Sequence, residues 1–150
     1  MTLNNIAWRF TKERHTEPET FSSKVAAYQQ TIYKDTGRWK PGEVTFEVPE
    51  LQLQYMAGVT GAADLLENET LIEDDLDIFE EKPDEDYYQV EINARLKADN
   101  GAHFTALELL MKAHNQMANK ELGDHVFFEG TDESPEIIDG LPTCYIACGS

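Results

Sequence analysis

The sequence predicts an α+β fold in a single domain, a mainly antiparallel sheet with two amphipathic helices packed on one face. Two stretches place apolar residues at helical spacing between helix-start and helix-stop signals, and several others alternate apolar and polar residues with period two. Their order is strand, helix, bent strand, acidic segment, strand, helix, strand, strand. A chain of 150 residues with 41% hydrophobic residues and fifteen aromatics suits one folded unit that buries roughly two thirds of its unfolded surface.

IAWRF at residues 6–10 is short and aromatic and predicts a first strand. In the stretch that follows, Phe21, Val25, Tyr28 and Ile32 fall on one helical stripe. Thr16 with Glu19 fits a capping box, Pro18 suits the first turn, Lys34 lies in the last turn, and Gly37 offers a left-handed stop. From Glu43 to Met56 the pattern has period two but changes phase at Pro49, from Val44, Phe46 and Val48 to Leu51, Leu53 and Tyr55. A one-residue slip reverses the faces, so a bulge or bend is expected at Pro49-Glu50. AGVTGAADLLENET, residues 57–70, carries no pattern strong enough to assign.

Tyr88, Val90, Ile92, Ala94, Leu96 and Ala98 alternate with polar residues, the signature of an antiparallel strand with one wet face. After the turn signal DNG at 99–101, Thr105 and Glu108 form a second capping box and Phe104 can staple on Leu109. The helix over 105–121 is expected to stop near Gly123, with Ala106, Leu110, Ala113 and Met117 as its central stripe. Short strands at 125–129 and 143–148, joined by an acidic loop, complete the predicted elements.

The balance of charge is the unusual feature: twelve Lys and Arg against twenty-nine Asp and Glu, net −17. Such a chain repels phosphate backbones and anionic lipid surfaces within the screening length of about 8 Å, which argues against direct nucleic-acid or membrane binding. The start of the chain has no basic-then-apolar leader and no stretch approaches a membrane span, so a cytoplasmic location is expected. Cys144 and Cys148 stand roughly 13 Å apart on a strand, too far for a disulfide, and two reduced thiols suit that compartment.

Twelve acids and one base fall within residues 64–86. Within this segment Ile72, Leu76 and Phe79 recur at helical spacing, and Thr70 with Glu73 fits a third capping box, predicting a short helix with an acidic outer face. Glu80 and Glu81 oppose this, since they would sit at the negative end of the helix dipole. The plain reading is a solvated linker; the sharper one is an electronegative surface of Glu73, Asp74, Asp75, Asp77, Phe79, Glu80 and Glu81 for a protein partner with a basic surface, as in an inhibitor or immunity-type protein. A contact between copies of the chain is the homo-oligomeric version.

Chemistry-bearing patterns are sparse. His103, His114 and His125 meet no metal-ligand spacing, Gly58 to Gly61 lacks the remainder of a phosphate-binding loop, and the acidic run lacks the glycine of a calcium loop, so neither metal nor cofactor is expected. His114 sits at the edge of its helix stripe, as a hydrogen-bonded boundary histidine would. Cys144, Ile146 and Cys148 share one face of a strand, as small core residues do. The expected function is a non-catalytic acidic interaction domain. The alternative is a small-molecule-binding domain or small enzyme with a pocket between the second helix and the C-terminal strands, using His114, His125 and Cys144.

Overall fold

In the computed structural model, which describes residues 3, 5–72, 76–82, 86–131 and 136–149, a mixed sheet and two helices share one hydrophobic core. The helices are α1 (Pro18–Tyr33) and α2 (Ala106–Met117); the strands are β1 (Val44–Phe46), β2 (Glu50–Val59), β3 (Glu69–Leu71), β4 (Tyr88–Lys97), β5 (Phe104–Thr105), β6 (Phe127–Thr131), β7 (Glu136–Ile138) and β8 (Leu141–Gly149). The main sheet runs β3-β4-β2-β8-β6, with β7 also on β8, while β1 and β5 form a separate two-stranded ladder. The expected α+β class holds. The sheet is mixed because β2 and β8 run parallel.

The spine is the β2–β4 ladder, in register from Glu50↔Lys97 to Val59↔Tyr88. Leu51, Leu53, Tyr55, Ala57 and Val59 of β2 and Val90, Ile92, Ala94 and Leu96 of β4 all face the core, the outcome period-two patterning requires. The other face carries an amide network: Asn93 Nδ2 donates to Gln52 Oε1 at 2.8 Å, and Gln52 Nε2 donates to Thr143 Oγ1 at 3.1 Å. The bend at Pro49 is present and separates β1 from β2. In β1, however, Thr45 turns inward, bonded to the Phe104 carbonyl, while Val44 is exposed. Pairing with β5 sets that face, overriding hydropathy. β2 also continues through Ala57–Val59, where no element was expected.

Residues 6–10 are extended but are not a full strand. Phe10 N donates to Val126 O at 2.8 Å and Phe128 N to Trp8 O at 2.9 Å. Ala7 is instead held by the buried side chain of Gln29, which accepts from Ala7 N at 2.9 Å and donates to Ala7 O. This clasp explains why the buried stripe of α1 is Phe21, Val25 and Gln29, with Tyr28 half-buried and Ile32 exposed. The Thr16–Glu19 capping box is absent: Glu17 is the N-cap, without a side-chain cap bond, and Lys34 takes the left-handed stop in place of Gly37.

Thr105 caps α2, accepting from Glu108 N at 3.2 Å. The Glu108 carboxylate does not complete the box; it accepts from Asp99 N at 2.7 Å and from Lys112 at 2.8 Å. Phe104 and Leu109 are both buried as the staple requires. The helix ends at Met117, a full turn earlier than expected, which frees Lys120 to turn inward. β6 begins at Phe127, later than expected, and the expected loop before β8 contains β7, joined to β8 by Asp139 and Gly140, both at positive φ as a two-residue hairpin turn demands. Among the described residues, no helix is long and apolar enough to cross a membrane.

Candidate functional site

The acidic segment is tied to the domain at several points. Asp64 accepts from Thr60 N and Oγ1, both at 2.7 Å, bonds that hold its carboxyl below the ordinary carboxylate range. Glu69, one of the twelve acids of residues 64–86, is buried in β3. Its Oε1 meets Lys120 Nζ at 2.8 Å and accepts from Leu66 N at 2.7 Å, and its Oε2 accepts from Gln116 Nε2 at 3.0 Å and from the Tyr55 hydroxyl. Lys120 Nζ also donates to Gln116 O at 3.1 Å and to Asn119 Oδ1 at 2.6 Å. Both side chains of the ion pair have 0% exposure, and every donor and acceptor of the two groups is used, as burial of such a pair requires. Burial, with the Glu69 charge beside it, pushes the Tyr55 phenol well above its ordinary value.

Beyond β3 the predicted α-helix is replaced by a 3-10 turn over Leu76–Glu80. Thr70 is a strand residue, so it caps nothing, and Ile72 is exposed. Phe79 packs edge-on against Tyr88 with ring centroids 5.0 Å apart, and the Tyr88 hydroxyl donates to the carbonyls of Phe79, at 3.2 Å, and Glu81. Ile78 and Phe79 thus pack against the chain's own core. Asp77, Glu80, Glu81 and Asp86 are solvent-exposed. Glu73, Asp74 and Asp75 lie outside the described residues.

A second feature is a cavity of about 550 Å³ at a break in the sheet. β2 and β8 pair only from Gln52↔Thr143 to Gln54↔Tyr145; beyond that, Gly58 of β2 bonds instead to Glu121, N to O at 2.6 Å and O to N at 2.8 Å. The gap between these attachments is lined by Met56 and Ala57, by Tyr145 through Cys148, by Leu122 through His125, and by Tyr87. Gly58 determines where Tyr87 sits, because a Cβ there would enter the Tyr87 ring and stand 2.7 Å from the Glu121 carbonyl. His125 Nδ1 lies 3.3 Å from Asp124, both side chains being largely exposed. Cys148 at the wall is a poor nucleophile: burial and the nearby Glu129 push its thiol up to about 11.

Of the three residues assigned to a pocket from sequence, only His125 reaches this cavity. His114 is fully buried among Trp8, Phe10, His15 and Phe21. Trp8 Nε1 donates to its Nδ1 at 3.1 Å, and its Nε2 lies 2.7 Å from the Glu13 carbonyl, to which it donates as the neutral tautomer. Burial holds its pKa below the ordinary histidine value. It is a satisfied core histidine, more deeply buried than a boundary position. Cys144 is also fully buried and absent from the cavity wall. Sequence reasoning missed Glu69, Lys120 and Tyr87, since ionisable residues in polar stretches carry no mark of burial and Tyr87 depends on a glycine twenty-nine positions away. Among the described residues, no cluster of His, Cys, Asp and Glu is arranged to hold a metal. No family model, curated protein or solved structure matches the chain.

Proposed function

We propose that the chain is a non-catalytic interaction domain of the cytoplasm that binds a protein with a basic surface through its acidic face, as an inhibitor or immunity-type protein would. The observation that carries this reading is that exposed Asp77, Glu80, Glu81 and Asp86 stand on a segment fastened at both ends, by buried Glu69 before it and by Tyr88 after it. A fixed array of like charges has already met the cost of ordering, and its field steers an oppositely charged partner. The rest of the surface sharpens the contrast: residues 1–42 hold seven bases and four acids, net +3, so the acidity belongs to the remainder of the chain.

The test is capture of partners from the native host at low and high salt, comparing the parent with a variant in which Asp74, Asp75, Asp77, Glu80 and Glu81 are replaced by Asn or Gln. Parent binding is expected to fall steeply with salt, and the variant to associate about tenfold or more slowly at low salt. Identical partners retained equally by both proteins at both salts would remove the reading. The cavity between β2 and β8, with His125 at its wall, supports a second reading as a small-molecule-binding domain.

A further inference from the structure

We propose that the cleft between β2 and β8 is a socket for an organic cation, the guanidinium or ammonium group of a small ligand or of a protein side chain. The inference rests on the pocket reading and is independent of the acidic face. Among the described residues, no lysine or arginine lines the cleft, whereas Tyr87, Tyr145, Glu121, Asp124 and His125 do. Two phenol rings and a methionine supply the polarisable wall that a poorly hydrated cation prefers over water.

The electrostatics point the same way. Glu121 is already paired with Lys12, so the exposed Asp124 is the lining carboxylate that a cation would meet. Asp124 is exposed at the opening and the Glu129 charge is felt at Cys148, while a net charge of −17 raises the local concentration of any cation. The site is built rather than incidental. Tyr87 owes its place to the missing side chain of Gly58, and Gly123, at φ 60°, carries the chain across the opening near the Tyr87 hydroxyl.

Titration of the full ¹⁵N-labelled chain at physiological ionic strength tests the proposal, using agmatine for guanidinium, cadaverine for ammonium, N-butylurea as a neutral shape and an arginine-containing peptide. Agmatine is expected to shift the amides of Gly58, Gly123, Tyr145 and Cys148 saturably at millimolar concentration, with Asp124→Asn weakening binding about threefold and Tyr145→Leu weakening it further. N-butylurea is expected to leave those amides unmoved. Tighter binding of the peptide assigns the cation to a protein, and tighter binding of agmatine assigns it to a free ligand; either supports the cation class. Equal shifts from N-butylurea would overturn the cation preference while leaving a pocket. Shifts from agmatine that spread without saturation over Asp77, Glu80 and the remaining acidic surface would overturn the site, and no shift from any of the four would overturn the pocket as well.

Discussion

Replacing Lys120 with Met isolates the buried ion pair. The ammonium meets three acceptors, Glu69 Oε1, Gln116 O and Asn119 Oδ1, and shares a fully buried position with the carboxylate. Met fills much of the same volume, so the principal loss is the countercharge. Glu69 would keep Leu66 N, Gln116 Nε2 and the Tyr55 hydroxyl as donors, but it would be left in a fully buried position without a countercharge. Breaking a buried pair by removing one partner costs about 3–5 kcal/mol. In a chain of this size about 3 °C of melting temperature accompanies each kcal/mol, so a fall of about 10–15 °C is expected.

Urea titration at neutral pH, with a check that the slope is unchanged, measures the loss directly. Adding Glu69→Gln to Lys120→Met should restore about 2 kcal/mol, because the neutral amide no longer needs a cation. A cost below about 1 kcal/mol, the magnitude of a surface pair, would refute the assignment. So would strict additivity of the two single substitutions.

Two further outcomes follow from the fold. His15 and His114, ring centroids 4.8 Å apart, are both held below the ordinary value of 6.5 chiefly by burial. The unfolded chain then takes up protons that the folded chain refuses, so stability that is full above pH 6.5 is lost as pH falls towards the depressed folded values. The slope is at most about 1.4 kcal/mol per pH unit for each ring. Urea midpoints at neutral pH and at about pH 5.5 check it, and a flat midpoint would contradict the linkage. Gly58→Ala should cost about 1–3 kcal/mol by forcing a Cβ into the Tyr87 ring and the Glu121 carbonyl. The displaced ring would change the near-ultraviolet dichroism, and unchanged stability and dichroism would show the contact to be slack.

Where local pattern and tertiary environment agree, the sequence was readable. The alternation from Tyr88 to Leu96 appears in β4 residue for residue, and Thr105 caps α2 as its spacing implies. The misreadings fall where a distant partner decides. Gln29 displaces Tyr28 from the buried stripe because it has Ala7 to bind, and Thr70 joins β3 because β4 offers it a ladder. Asp139-Gly140 is a recognisable hairpin signal that the surrounding acids obscured. The pocket expected between the second helix and the C-terminal strands is not the observed cleft, which lies between β2 and β8 with no residue of α2 in its lining. Of its residues His125 was named, but Tyr87 and Gly58 become neighbours only once β2 and β4 pair, and the fate of His114 was set by Trp8, 106 positions away.

The parallel pairing of β2 with β8 also bears on how the molecule is assembled. β2 and β4 can zip together early, but the other edge of β2 waits for Thr143 to Tyr145, about ninety positions later, and the extended N-terminal segment waits for Phe128. Such distant closures carry a large chain-entropy cost before any contact repays it. During synthesis an open edge of β2 would persist until β8 emerges. Removing β8 would therefore do more than shorten the sheet, since it takes away Cys144 and Ile146 from the core, one wall of the cleft and the strand that joins β6 to β2 among the described residues.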